Sequence, residues 1–234
     1  MNPQAIAEIA AFQQFLATLS LNAGLRKVKT LEMDLKGPLN PSGLLHRLFF
    51  VEQNWLGFDD FFEHYLAHNG PLLRQTLPQM PEAALREGLR ARLYRTQFGL
   101  LTEYHAYFGC RCIFGPENVV RDPALDQRGI DFQITDHPDQ YNVHVFIDNA
   151  RAWEYRRYKI DHKSVDRLPG HHVNFPYSLQ PGRFNSLQFL PNGFGIYTSK
   201  YVRYLQREMT QGRIGNGNII GTNAMGFVYA QLSN

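Results

Sequence analysis

Apolar residues recur at helical spacing through residues 3–21, "PQAIAEIAAFQQFLATLSL", and Pro3 suits a first helical turn. After a Pro- and Gly-rich loop around "KGPLNPSG", the stretches "LLHRLFFVEQNW" and "FDDFFEHYLAH" predict short helices. Asp59 and Asp60 lie where acidic groups favour a helix start. The longest helical pattern is "MPEAALREGLRARLYRTQFGLLTEYHAYFGCRCIFG", which begins after Pro81 and ends near Gly109 or Gly115. The second half changes period. "IDFQI" and "YNVHVFID" read as strands, and "TDHPDQ" between them is hairpin chemistry. "NARAWEYRRYKIDHK" returns to helix with Asn149 as N-cap. Residues 168–198 are dominated by Pro, Gly, Asn and aromatics and read as loops. "SKYVRYLQREMTQG" predicts a last helix capped by Ser199, and the tail suggests a Gly-rich turn and a final strand. The expected fold is therefore α/β in the α+β sense, with a helical N-terminal part (1–115) packed on a small mixed sheet (116–234) in one compact unit.

Composition narrows the class. The chain has 234 residues, 44% hydrophobic and 19% charged, as in an ordinary globular protein. The net charge of +3 permits a polyanionic partner without requiring one. Cys110 and Cys112 are too close for a normal disulfide and too few for a zinc site, and read as reduced thiols. No apolar run reaches the ~20 residues of a membrane span. The N-terminus lacks signal-peptide character, so a cytoplasmic location is expected.

The candidate chemistry gathers around "GIDFQITDHPDQYNVHVFID". Asp131 opens an otherwise apolar strand, where a carboxylate is costly unless paired or bound to metal. It reads either as a divalent-metal ligand at a sheet edge or as a plain strand start after the Gly129 turn. His144, mid-strand, is suited to proton transfer or phosphate orientation, or to a structural hydrogen bond. Asp148 ends that strand as a second metal ligand or as a turn residue, and Asp136 lies in the hairpin. Residues 151–167 carry Arg151, Arg156, Arg157, Lys159, Lys163 and Arg167 against three acids. Helical spacing aligns Arg156 with Lys159 and Lys163 as a basic stripe, either tracking phosphates or forming a solvated face. His171, His172 and Arg183 stand in the loop-like region with side chains suited to reading base edges.

"FQQFLATLSL", "KTLEMDLKGPLNP", "FDDFFEHYL" and above all "GLRARLYRTQFGLLTEYHAYF" resemble, in order, the N-terminal half of TaqI-type restriction endonucleases. "GID" falls where that family places the aspartate of its PD-(D/E)xK-like nuclease core. The resemblance implies a type II restriction endonuclease, a site-specific deoxyribonuclease of a restriction-modification system. Such an enzyme hydrolyses both strands of double-stranded DNA with Mg²⁺, at a palindrome of the TCGA kind. It implies Asp131 as metal ligand, with Asp136 near a second acidic position. A homodimer on DNA and a cognate DNA methyltransferase are the implied partners. The chain departs from the pattern in one respect: His144 and Phe146 stand where an acid or amide and a lysine are expected. Arg151 or Lys159 is then the expected replacement cation, with His144 orienting or shuttling a proton and Asp148 assisting at the metal. Two rival expectations are a DNA-binding homologue without catalysis and a nuclease acting on RNA or single strands.

Overall fold

The computed structural model describes residues 2–27, 35, 37–162, 168–180, 186–212 and 214, apart from the side chains at 127 and 157–162. Two compact units share the chain: residues 1–14 with 102–234, and residues 15–101. Helices α1 (Pro3–Thr18) and α5 (Glu82–Phe114) each contribute to both.

The unit of residues 15–101 holds α2 (Ala23–Lys27), α3 (Pro41–His46) with a π-helical turn over Arg47–Val51, and α4 (Phe58–Thr76). Its core is aromatic: Phe61, Phe62 and Tyr65 are fully buried, and Tyr94 meets Phe58 edge-on at 5.0 Å. The Tyr65 hydroxyl donates to Leu39 O at 2.6 Å, and burial pushes its pKa up to about 12. Helix α4 starts at Phe58 as expected but continues through Pro71 instead of stopping at His68. Arg86 and Arg90 pair with Glu63 and Asp59 on the exposed face, where such pairs contribute little stability.

The other unit is built on a four-stranded sheet. Strand β1 (Val119–Val120) is followed by α6 (Pro123–Gln127), β2 (Phe132–Asp136), β3 (Asp139–Ile147), α7 (Ala150–His162) and β4 (His171–Tyr177). A separate hairpin of β5 (Leu187–Phe189) and β6 (Gly195–Tyr197) precedes α8 (Ser199–Thr210). Sheet order is β1-β2-β3-β4, antiparallel except for the parallel β3–β4 pair, so the expected small mixed sheet in an α+β fold is present.

Strand alternation sorts side chains onto two faces. Phe132, Ile134, Tyr141, Val143, Val173 and Phe175 form one face. It packs on aromatic rings of α5, β6 and α8: Tyr107 meets Phe132 at 6.1 Å, and Phe175 stacks on Tyr197 at 5.0 Å and on Tyr201 at 4.7 Å. The opposite face carries Gln133, Asn142, His144, His172 and Asn174, and α7 covers it through Trp153 and Arg156.

Strand β4 corrects the reading of residues 168–198 as loops. Its "HHVNFPY" pairs in parallel with β3, and the β3–α7–β4 run is a crossover unit. Among the described residues β4 is an end strand of the sheet, a position that tolerates Pro176. Gly170 precedes it at φ +103, where a Cβ would lie 2.5 Å from Gln140 O, so only glycine allows this approach. The helix N-caps are read almost correctly. Asn149 Oδ1 accepts from Ala152 N at 2.8 Å, but α8 is capped by Thr198, one residue before Ser199. The expected C-terminal strand lies outside the described residues.

Candidate active site

Asp131 lies half-buried where the β2–β3 ladder begins. Its N–H donates to Val143 O at 3.0 Å, and its Oδ2 accepts the Val145 N–H, so the carboxylate stands in for a main-chain carbonyl. The turn before it is held from several sides. Gly129, at φ +77, donates to Asp126 O at 2.8 Å, and His144 Nδ1 meets Gly129 O at 2.8 Å. Arg121 Nη1 donates to Asp131 O at 3.0 Å.

Arg121 is the cation that sequence reasoning missed. Its side chain is 3% exposed, pairs with Glu103 at 2.7 Å and lies over the Tyr104 ring at 4.7 Å. Burial works against its charge, but Glu103, Tyr104, Asp131 and Asp126 outweigh burial and raise its pKa above the ordinary value. The (D/E)xK pattern directs attention to cations after β3, whereas Arg121 directly follows β1 and supports the Asp131 main chain. The available signal was a lone arginine directly after "NVV", one strand away from Asp131.

The polar face of the sheet is a continuous hydrogen-bond chain. Gln140 Nε2 donates to Gln133 Oε1 at 3.2 Å, and Gln133 Nε2 to Asn142 Oδ1 at 2.6 Å. Asn142 Nδ2 meets His172 Nε2 at 3.4 Å, and His172 Nδ1 meets His144 Nε2 at 3.0 Å. The two imidazoles stack at 5.3 Å and both are buried. Asn142 Nδ2 also donates to Pro169 O at 3.1 Å.

The structure brings together Asp131, His144 and His172, the last two with both ring nitrogens engaged inside the protein. That placement corrects the expectation of His144 as a proton shuttle to substrate and of His172 as a base reader. Arg156 is corrected too: it is buried, and its Nε donates to Asn174 Oδ1 at 2.7 Å rather than lining a surface stripe. Asp148 is not brought to Asp131. Its Oδ1 accepts from Trp153 Nε1 at 2.8 Å, and it lies three strand positions beyond Val145, about 10 Å. Asp136 is exposed at the far end of β2, about 16 Å along the strand from Asp131. Arg151 is exposed in the first turn of α7, and His171 is half-exposed, 3.6 Å from Asp139. The side chains of Arg157 and Lys159, and all of Lys163 and Arg183, lie outside the described residues.

Among the described residues, no group of three or more His, Cys, Asp and Glu is placed to hold a metal ion, and no helix is long and apolar enough to cross a membrane. Both cysteines are free, and burial raises the pKa of the Cys110 thiol.

Comparison with known proteins extends the picture over most of the chain. The sequence model of the TaqI restriction endonuclease family matches residues 9–181. The type II restriction enzyme TaqI of Thermus aquaticus is 28% identical over 239 residues, covering 87% of this chain and 88% of the relative. The type II restriction enzyme TthHB8I of Thermus thermophilus is 27% identical over 241 residues, covering 89% and 90%. No solved structure matches the chain significantly. With Asp131 held at the head of β2 inside the matched segment, the chain belongs to the TaqI restriction endonuclease family.

Proposed function

We propose that this protein is a type II restriction endonuclease that hydrolyses both strands of double-stranded DNA at a short palindrome, with Mg²⁺ as cofactor. The observation that carries the reading is the Asp131 carboxylate, fixed by the Val145 N–H at the head of β2 in a chain of this family. Asp131 is the residue that would hold the ion. One protein carboxylate is too few for a closed cage, but it fits Mg²⁺, which binds through one or two carboxylates, waters and substrate phosphates. When bound, Mg²⁺ supplies charge stabilisation at the scissile phosphate.

The chain's own residues then have separate tasks. Arg121 is too buried to touch DNA, so it holds the Asp131 main chain and balances its charge. Arg151, exposed one helical turn after β3, is the described cation placed for a phosphate. Cutting both strands of a palindrome needs two sites related by symmetry, hence a homodimer on DNA. A cognate methyltransferase would protect the host's own sites.

Incubating the full-length chain with a sequenced plasmid and Mg²⁺ tests the reading. Discrete fragments with identical mapped ends are expected. Asp131→Ala should lower cleavage by at least about 10³-fold while duplex binding stays near wild type.

A second reading is a DNA-binding homologue without catalysis. It draws on His144 and Phe146 at the positions of the pattern's acid and lysine, and on the thin ligand set among the described residues. Tight duplex binding with no cleavage under any divalent ion would select it. Preferential cutting of single strands would instead assign the chain to unpaired substrates.

A further inference from the structure

We infer that His172 is a positioning residue of the Asp131 site: it fixes the ring tautomer of His144, and through Gly129 O it fixes the turn that presents Asp131. The inference rests on the nuclease reading for its catalytic consequence, but not for its geometry.

The argument is one of donors and acceptors. Gly129 O can only accept, so the 2.8 Å contact requires His144 Nδ1 to carry a proton. A neutral His144 then has Nε2 as acceptor, and the group 3.0 Å away, His172 Nδ1, must donate. His172 Nε2 is left as acceptor and faces the Asn142 amide nitrogen at 3.4 Å. The Asn142 oxygen accepts from Gln133, whose oxygen accepts from Gln140. Every member therefore donates in the same sense, from Gln140 towards Gly129.

The reverse arrangement fails at one point. His172 Nε2 also lies 3.4 Å from Leu168 O and could donate there. His172 Nδ1 would then accept, and His144 would have to place its single proton on Nε2. Two acceptors, His144 Nδ1 and Gly129 O, would face each other at 2.8 Å, and the turn would lose this tie. The choice made by His172 on β4 is thus transmitted to the residue two before Asp131. Strand register makes the transmission direct: Asn142 pairs with His172, and His144 with Asn174. Burial of these four side chains keeps water from substituting as a partner along the chain as far as His144.

The test compares His172→Asn, His172→Gln and His172→Leu in the full-length chain. Asparagine keeps an N–H at the δ position, whereas glutamine and leucine do not. Imidazole nitrogen NMR of the wild type should show both His144 and His172 protonated on Nδ1. The Val145 amide proton, bonded to Asp131 Oδ2, should stay in place in His172→Asn and move in the other two. Single-turnover cleavage should fall about 10–100-fold in His172→Leu and His172→Gln, with duplex binding unchanged and His172→Asn close to wild type. A wild-type His144 protonated on Nε2, or a His172→Leu variant with an unmoved Val145 amide, overturns the inference. If the wild type cuts no DNA, the nuclease reading fails alone, and the tautomers and the Val145 amide still decide the role of His172.

Discussion

Phe175 and Asn174 are neighbours in β4, point to opposite sides of one sheet and are almost equally buried, at 0% and 1% exposed. Their surroundings differ completely. Phe175 stacks on both Tyr197 and Tyr201, where shape and apolar area decide stability. Asn174 accepts a hydrogen bond from the buried Arg156 guanidinium, where satisfaction of polar groups decides it. The sheet thus has a face that holds the fold and a face that holds the site. Asp131 immediately precedes β2, with its carboxylate tied to the β3 backbone. Burial alone cannot tell the faces apart; the consequences of substitution can.

The largest expected effect is on the apolar face. Phe175→Ala removes a ring from a closed aromatic stack and should cost about 3–5 kcal/mol of unfolding free energy. Urea denaturation measures it. Cleavage by the fraction that remains folded should be unchanged. A loss below about 1 kcal/mol would mean that the stack relaxes around the gap and that this face is not the structural one.

These faces were unequally legible in the sequence. Apolar alternation in "IDFQI" and the run in "YNVHVFID" gave β2 and β3 and their hairpin, because their inward residues are apolar. Strand β4 was hidden. "HHVNFPY" follows Pro169 and Gly170, carries Pro176 and buries His172 and Asn174, so polarity and breakers both argued for a loop. Only the parallel partner and the cover of α7 make those side chains interior, and neither is local in sequence. Arg156 was misread for the same reason. On an isolated helix it joins a basic stripe, but once β4 is in place it points at Asn174. Asp131 was found because a carboxylate opening an apolar strand conflicts with its surroundings. Arg121 and Glu103, which offset each other's charge, left no such conflict to notice.

A smaller effect is expected on the polar face. Asn174→Ala leaves Arg156 without its Nε acceptor and should cost about 1–3 kcal/mol. Replacing both partners, as Asn174→Leu with Arg156→Met, should recover part of that loss, because the Arg156–Asn174 bond then leaves neither of its two groups buried without the other. The double-mutant cycle by urea denaturation reads the coupling directly. Additive costs, with no recovery in the double variant, would show that the two side chains do not act as a pair.

The smallest expected effect separates the faces by pH. His105 of α5 lies on the apolar side, buried at 1% exposed, and its Nδ1 accepts from the Tyr197 N–H at 3.2 Å. The proton of the neutral ring is therefore on Nε2, which faces the Gln13 amide nitrogen at 3.0 Å; a flip of that amide, which exchanges its nitrogen and oxygen, gives the ring N–H its acceptor. Burial pushes its pKa down to about 3. The unfolded chain, with an ordinary histidine near 6.5, binds this proton first as the solution is acidified. The contribution of the neutral ring to stability is therefore complete above about pH 6.5 and is lost progressively as pH falls towards 3. At pH 6 the loss should be about 1 kcal/mol relative to pH 8, and His105→Gln should flatten that part of the profile. If wild type and His105→Gln show the same slope between pH 8 and pH 5, the ring titrates freely and the apolar side is open to water at α5. An acid sensitivity that persists in His105→Gln would have to come from groups other than this ring.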